Sequence, residues 1–194
     1  MPHITLESLM TLEAYAKARN EFRARVMAHK KNRIVSLGEN ITLIFEDELT
    51  VRYQIQEMLR VEKTFEEAGI NDELEAYNPM VPDGSNWKAT MMIEYPVPVV
   101  RAEKLKQLKG VERKVYVQVQ GCDKVYAIAD EDLDRENEEK TSSVHFLRFE
   151  LTPEMVQTAK HGATISVGIE HPAYTAQTGN LPGPIRDSLT ADLA

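Results

Sequence analysis

Cysteine is almost absent from this chain, with Cys122 standing alone. One thiol excludes an intramolecular disulfide, a Cys-x-x-Cys redox pair and any multi-thiolate zinc or iron–sulfur centre built from a single copy. Long apolar runs are missing as well, since no stretch approaches the roughly 18 consecutive apolar residues of a membrane span. The opening residues MPHITLESLM lack the basic-then-apolar order of a secretory leader. The expectation is a cytoplasmic protein that does not engage a membrane. Excess positive charge is lacking too: 31 acids against 23 bases leave a net charge of −8. That balance favours solubility and argues against nucleic-acid binding. Common catalytic signatures are also absent, including a phosphate-binding Gly-rich loop ending in Lys-Ser/Thr, His-Glu-x-x-His, Gly-x-Ser-x-Gly and a calcium loop. Whether the chain is an enzyme stays open.

What is present suits one globular unit. A length of 194 residues with 42% hydrophobic and 28% charged side chains can bury a core, and residues 1–194 read as a single α+β domain. Thr5 and Thr11 are N-cap candidates for one broken or two consecutive helices running through Asn32. Glu48 to Ala68 carries an apolar stripe of Val51, Ile55, Met58, Leu59 and Phe65, with Gly69 at the expected stop. Asn71 can cap a short helix through Tyr77. Pro98 and Gly110 bracket another helix, and Thr152-Pro153-Glu154 opens one that His161-Gly162 closes.

Between the helices lie segments with alternation or β-branched and aromatic enrichment: 41–45, 89–95, 115–119, 125–129, 144–151 and 163–171. The turn Gln120-Gly121-Cys122-Asp123 joins the third and fourth of these as an antiparallel hairpin. Irregular interspersion with helices favours a largely antiparallel sheet, with N-terminal and inserted helices, over βαβ repetition. The Pro- and Gly-rich stretch 172–194 reads as a surface-wrapping tail.

Two groups of residues carry candidate chemistry. The loop from Tyr77 to Lys88 is dense in turn formers and holds the sole tryptophan, so Tyr77, Asp83, Asn86, Trp87 and Lys88 are ligand-loop candidates. Its simpler account is a turn at Asp83–Asn86 anchored by Trp87. The second group is histidine-based. His145 shares strand parity with Leu147 and Phe149, and His171 with Ile165 and Val167, so both face the apolar side. A hydrogen-bonded core histidine is the ordinary reading for each. If their strands pair antiparallel with 151 opposite 165, however, 145 falls opposite 171. Glu57, Glu62 or Glu94 would then complete a His/carboxylate site for iron, zinc or manganese. A parallel arrangement would separate the two histidines.

Charge runs mark candidate docking surfaces. The N-terminal segment is basic through Lys30, Lys31 and Arg33, and residues 130–139 are almost wholly acidic around Arg135. Such runs are usually solvated faces.

Several blocks resemble a known bacterial family. Arg23-Ala-Arg25, Thr50 to Arg60, Tyr77-Asn-Pro, Pro82 to Thr90, Lys140 to Leu151 and His171-Pro-Ala-Tyr174 are similar to the domain-of-unknown-function family numbered thirty-five-oh-one, over nearly the whole chain. The resemblance brings no established activity or site residue. Its gene neighbourhoods, near rubrerythrin-like and iron–sulfur oxidoreductase genes, imply an accessory partner in peroxide or sulfur redox metabolism. Three functions therefore stand in order: a non-catalytic redox accessory, with homo-oligomerisation also open; a His/carboxylate metalloprotein or metalloenzyme; and a small-ligand or regulatory binding domain.

Overall fold

The computed structural model describes residues 3–132, 135, 137 and 139–194. After a 3₁₀ turn at Leu6–Ser8, the chain forms a single helix α1, Leu12–Lys30, capped by the Thr11 hydroxyl, which accepts from the Ala14 amide at 3.2 Å. Strands β1 (Ile34–Leu37) and β2 (Ile41–Glu46) follow, then helices α2 (Glu48–Glu62) and α3 (Glu67–Tyr77). A 3₁₀ turn at Asn78–Met80 leads into β3 (Asn86–Ile93). Next come α4 (Pro98–Gln107), β4 (Val115–Val119), β5 (Val125–Tyr126), β6 (Ile128–Ala129), β7 (Val144–Glu150), α5 (Pro153–Lys160), β8 (Ile165–His171), β9 (Tyr174–Gln177) and α6 (Gly183–Thr190).

The helix expected over 48–68 is two helices. Lys63 takes the left-handed conformation (φ 55°) and ends α2, while its amide returns to the Arg60 and Leu59 carbonyls. A left-handed residue after the last turn closes a helix whether or not it is glycine. Gly69 therefore lies inside α3, where an added Cβ would stand 2.7 Å from Thr64 Cγ2. Phe65, expected in the apolar stripe, is 75% exposed in the link between them.

Among the described residues the strands form two antiparallel sheets, ordered β1-β2-β3-β7-β6 and β5-β4-β8-β9. The fold is α+β, as the strand and helix pattern predicts, but the antiparallel sheet is doubled. The predicted hairpin is half present. Tyr116 pairs with Tyr126 and Val117 with Val125, and the Ala127 amide donates to the Val115 carbonyl at 2.9 Å. Beyond Ala127 the same run changes sheets, so that Ile128 lies opposite Arg148 and Ala129 opposite Leu147.

Strand parity sets what each face does. Ala89, Met91, Leu147 and Phe149 from the first sheet join Val117 and Val167 from the second in one buried core. Alternate residues of β3 and β7, including Lys88, Thr90, Phe146 and Arg148, face the other way. Over that outer face lie α2 and α3, held by a second cluster that includes Ile4, Ile55, Leu59 and Leu74.

Two expectations about the chain's ends need correction. The segment 172–194 does not simply wrap the surface: β9 is an edge strand, and Leu181, Leu189 and Leu193 enter the main core. Arg33, grouped above with a basic docking face, is 1% exposed. Its Nε donates to the Phe45 carbonyl (2.9 Å), Nη2 to the Glu46 carbonyl (3.0 Å) and Nη1 to the Ser188 carbonyl (3.0 Å). A planar five-donor fork can be buried when each branch meets an acceptor, which a lysine could not reproduce.

Candidate functional site

The two strands on which the histidine site depended do not pair. His145 sits in the first sheet opposite Met91, whereas His171 sits in the second opposite Tyr174. Shared core-facing parity is real, since the residues are 0% and 9% exposed, but parity does not choose a strand's neighbour. Each imidazole is already engaged. His145 Nδ1 lies 2.5 Å from Asp130 Oδ2, and its Nε2 lies 2.9 Å from Thr141 Oγ1 and 3.0 Å from the Ser142 carbonyl. His171 Nδ1 accepts from the Ala173 amide at 3.1 Å, which leaves Nε2 to donate to the Lys109 carbonyl at 2.9 Å.

The carboxylates proposed beside them lie elsewhere. Glu57 accepts from the Tyr15 hydroxyl (2.7 Å), from Arg19 Nε and Nη2 (2.7 and 3.0 Å) and from Arg60 (3.3 Å). These bonds, led by Arg19, hold its carboxyl down at about 2. Glu94 accepts from Thr42 Oγ1 at 3.0 Å. Glu62 ends α2, where its charge helps push Glu73 upward, after burial as the main cause. Among the described residues no group of three or more His, Cys, Asp or Glu is arranged to hold a metal.

The loop candidates divide into two sets. Trp87 is fully buried and its Nε1 donates to the Leu189 carbonyl at 2.8 Å, tying β3 to α6. Asp83 accepts from the Ser85 amide (2.9 Å) and hydroxyl (2.8 Å), while Asn86 Oδ1 accepts from the Asp83 amide (3.2 Å). These three residues shape the turn and its anchor. Tyr77 and Lys88 instead line a cleft of about 510 Å³ between α3 and the outer face of β3 and β7.

Lys88, opposite Arg148 across the β3–β7 ladder, and Phe146, two residues before Arg148 on β7, build the floor of this cleft. Met58 of α2, Ala76 and Tyr77 of α3, and Met80 supply the apolar walls. Arg135 lies over the Phe146 ring, 4.5 Å from its centroid. Arg148 grips Glu131 through two parallel bonds of 2.9 Å and also donates to Glu150. Arg135 holds Asp132 in the same manner at 2.5 and 2.7 Å. The hydrogen bond to Arg148 is the main reason that Glu131 is held below the ordinary carboxylate range.

Lys88 differs from these arginines. Its Nζ donates to the Pro79 carbonyl, and no carboxylate among the described residues reaches ion-pair distance. Burial holds its ammonium below the usual lysine value, with Arg148 adding to the effect and Asp83 opposing it. A larger hollow of about 730 Å³ lies by the N-terminal segment, but its acidic groups, Glu7, Glu67 and Glu75, have no lysine or arginine among the lining residues.

Sequence reasoning missed Arg148, Glu131, Phe146 and Met58 as cleft residues. The available signal was parity: placing His145, Leu147 and Phe149 in the core puts Phe146 and Arg148 together on the opposite face. The acidic run was read as a solvated face, yet Asp130 closes on His145 and its Oδ1 accepts from the Phe146 amide at 2.9 Å. Leu133, Asp134, Glu136 and Glu138 of that run lie outside the described residues.

The fold and the cleft define an α+β protein with two antiparallel sheets and a helix-walled hollow on the outer face of one of them. The chain belongs to the family described as "Protein of unknown function (DUF3501)", whose model matches residues 3–193. It is also similar to a solved structure described as a novel protein of unknown function from Burkholderia pseudomallei, with 52% identity, 100% of each chain covered and a TM-score of 0.95. No curated protein matches the chain. Among the described residues no helix is long and apolar enough to cross a membrane.

Proposed function

We propose that this protein is a small-molecule binding domain whose ligand occupies the cleft between α3 and the outer face of β3 and β7. The observation that carries this reading is the combination of an apolar interior with charged side chains fixed in place by their own ion pairs. Ligand sites characteristically join an apolar concavity to a few oriented polar groups. Arg148, clamped between Glu131 and Glu150, and Arg135, stacked on Phe146, require little reorganisation on binding. The redox-accessory reading draws on gene neighbourhood alone, and the metal reading has lost the strand pairing on which it stood.

Anilinonaphthalene sulfonate, a dye that brightens in apolar pockets, tests the proposal. Native protein should bind it saturably, and Ala76→Trp should reduce that binding at least fivefold by filling the cleft from an exposed helix position. Unchanged dye binding in a folded Ala76→Trp variant would overturn the assignment.

A further inference from the structure

We infer that the ligand is an amphipathic anion, with a carboxylate or comparable acidic head paired to Lys88 and an apolar body lying on Phe146 and Met58. This rests on the cleft reading above and adds the ligand's chemical class. The argument is one of charge complementarity among the residues around the hollow.

Three cations line the cleft: Lys88, Arg135 and Arg148. Both arginines are matched by carboxylates that bind them bidentately, Asp132 for Arg135 and Glu131 for Arg148. Among the described residues Lys88 has no such match, and Asp83, Glu131 and Glu150 act on it only from beyond ion-pair distance. The nearest candidate in register is Glu46, its partner across β2 and β3. Glu46, however, spends its oxygens on the Thr50 hydroxyl (2.5 Å) and the Thr90 hydroxyl (2.7 Å). An ammonium has three donors, and the only bond made by Lys88 among the described residues uses one of them, to the neutral Pro79 carbonyl.

A half-buried cation with no carboxylate at ion-pair distance among the described residues is costly, and an anion that supplies one gains a charge-assisted bond in a medium of lowered dielectric. The depression of Lys88 by burial is the same cost expressed in protonation. Polarity across the hollow sets the ligand's direction. Glu73 and Glu75 on α3 lie on the opposite wall and repel an anionic head, so the head goes to the sheet and the apolar body runs along Phe146 and Met58.

Calorimetric titration of the full chain with octanoate, octanol and octylamine separates the possibilities. Octanoate should bind at least tenfold more tightly than octanol, with octylamine weakest. Lys88→Met should bring octanoate down to the octanol level while leaving octanol within about twofold, and Lys88→Arg should restore much of the difference. The three probes on native protein decide the matter even if Lys88→Met fails to fold. Octylamine binding as tightly as octanoate, or octanoate unaffected by a folded Lys88→Met, would overturn the anion assignment while leaving the cleft standing. No binding of any probe, together with no dye binding, would overturn the cleft itself and this inference with it.

Discussion

Arg33 and Asp192 stand 159 positions apart and meet at 2.6 Å, in a place where Arg33 is 1% exposed. Asp47 contributes a second carboxylate 3.6 Å from the same guanidinium, and His29 in turn contacts Asp47. The C-terminal helix is thereby fastened to the link between α1 and β1. Removing one partner of a buried, hydrogen-bonded pair leaves the other uncompensated, so Asp192→Ala should lower unfolding free energy by about 3–5 kcal/mol. Arg33→Met should cost at least as much, because three backbone carbonyls lose their donors as well. Chemical denaturation measures both, and a loss under about 1 kcal/mol would contradict the account.

The same site predicts an unusual pH profile. Burial, opposed by Arg33, holds the Asp192 carboxyl up at about 6, above its unfolded value. A carboxyl raised on folding binds its proton more tightly in the native state. Its stabilisation is complete below an unfolded pKa of about 4 and is lost as pH rises through 6, a change on the order of 3 kcal/mol. Glu57, held down at about 2, has the opposite sign: its contribution is present above its unfolded pKa and is lost as pH falls toward 2. The joint contribution of these two groups should therefore peak between about pH 4 and 5. Asp192→Asn should flatten the decline between pH 4 and 6, and a decline of unchanged slope in that variant would refute the assignment.

Trp87 is the sole tryptophan and reports on the docking of α6, since its indole donates to the Leu189 carbonyl within the core. Native emission should be blue-shifted and should move to the red in a chain truncated after residue 180. Trp87→Ala should cost about 3–5 kcal/mol through the cavity it leaves. Trp87→Phe should cost less, reflecting the lost bond and a smaller void. Equal losses for the two variants would mean that packing around the ring is not what holds the segment.

Asp130 occupies a left-handed conformation (φ 52°) and serves three donors, the His145 ring, the Phe146 amide and, at 3.3 Å, Arg135 Nη1. Asp130→Ala should lose about 1–3 kcal/mol, since a buried donor is left without its acceptor. Asp130→Asn should lose less, because asparagine tolerates this backbone region and keeps a carbonyl oxygen for the amide. Urea midpoints with unchanged slopes would measure the difference. An alanine variant as stable as the native chain would show that water replaces these contacts at no cost.

Much of this architecture was legible because local rules agreed with it. Thr152-Pro153-Glu154 opens α5, Gly110 adopts φ 78° after α4, and the alternation of Val115, Val117 and Val119 marks a strand that the structure reproduces residue for residue. The misreadings are physical rather than accidental. Lys63 ends α2 without the glycine that usually announces such a stop, while Gly69 lies inside α3, close to the Thr64 side chain. Strands β1 and β9 have four residues each, too short for alternation to emerge from the surrounding sequence. At the cleft, Tyr77 and Lys88 could be singled out from the turn-rich loop. Arg148 was open to the parity argument, but its clamp by Glu131 was not, because that meeting depends on β6 pairing with β7, a long-range choice that no local pattern encodes.

The five residues from Val125 to Ala129 join two hydrogen-bond ladders with one covalent thread, β5 belonging to one sheet and β6 to the other. Ala127 is the crossing point, 8% exposed and bonded back to Val115. A sandwich held only by side chains can relax by letting one layer slide over its neighbour. Here the thread is hydrogen-bonded to both layers, through β5 and Ala127 on one side and β6 on the other, so displacement of one layer pulls on strand pairs of both. The cleft floor on β7 is registered to the second sheet by a peptide tether, which makes the platform beneath Arg148 and Phe146 mechanically part of both layers.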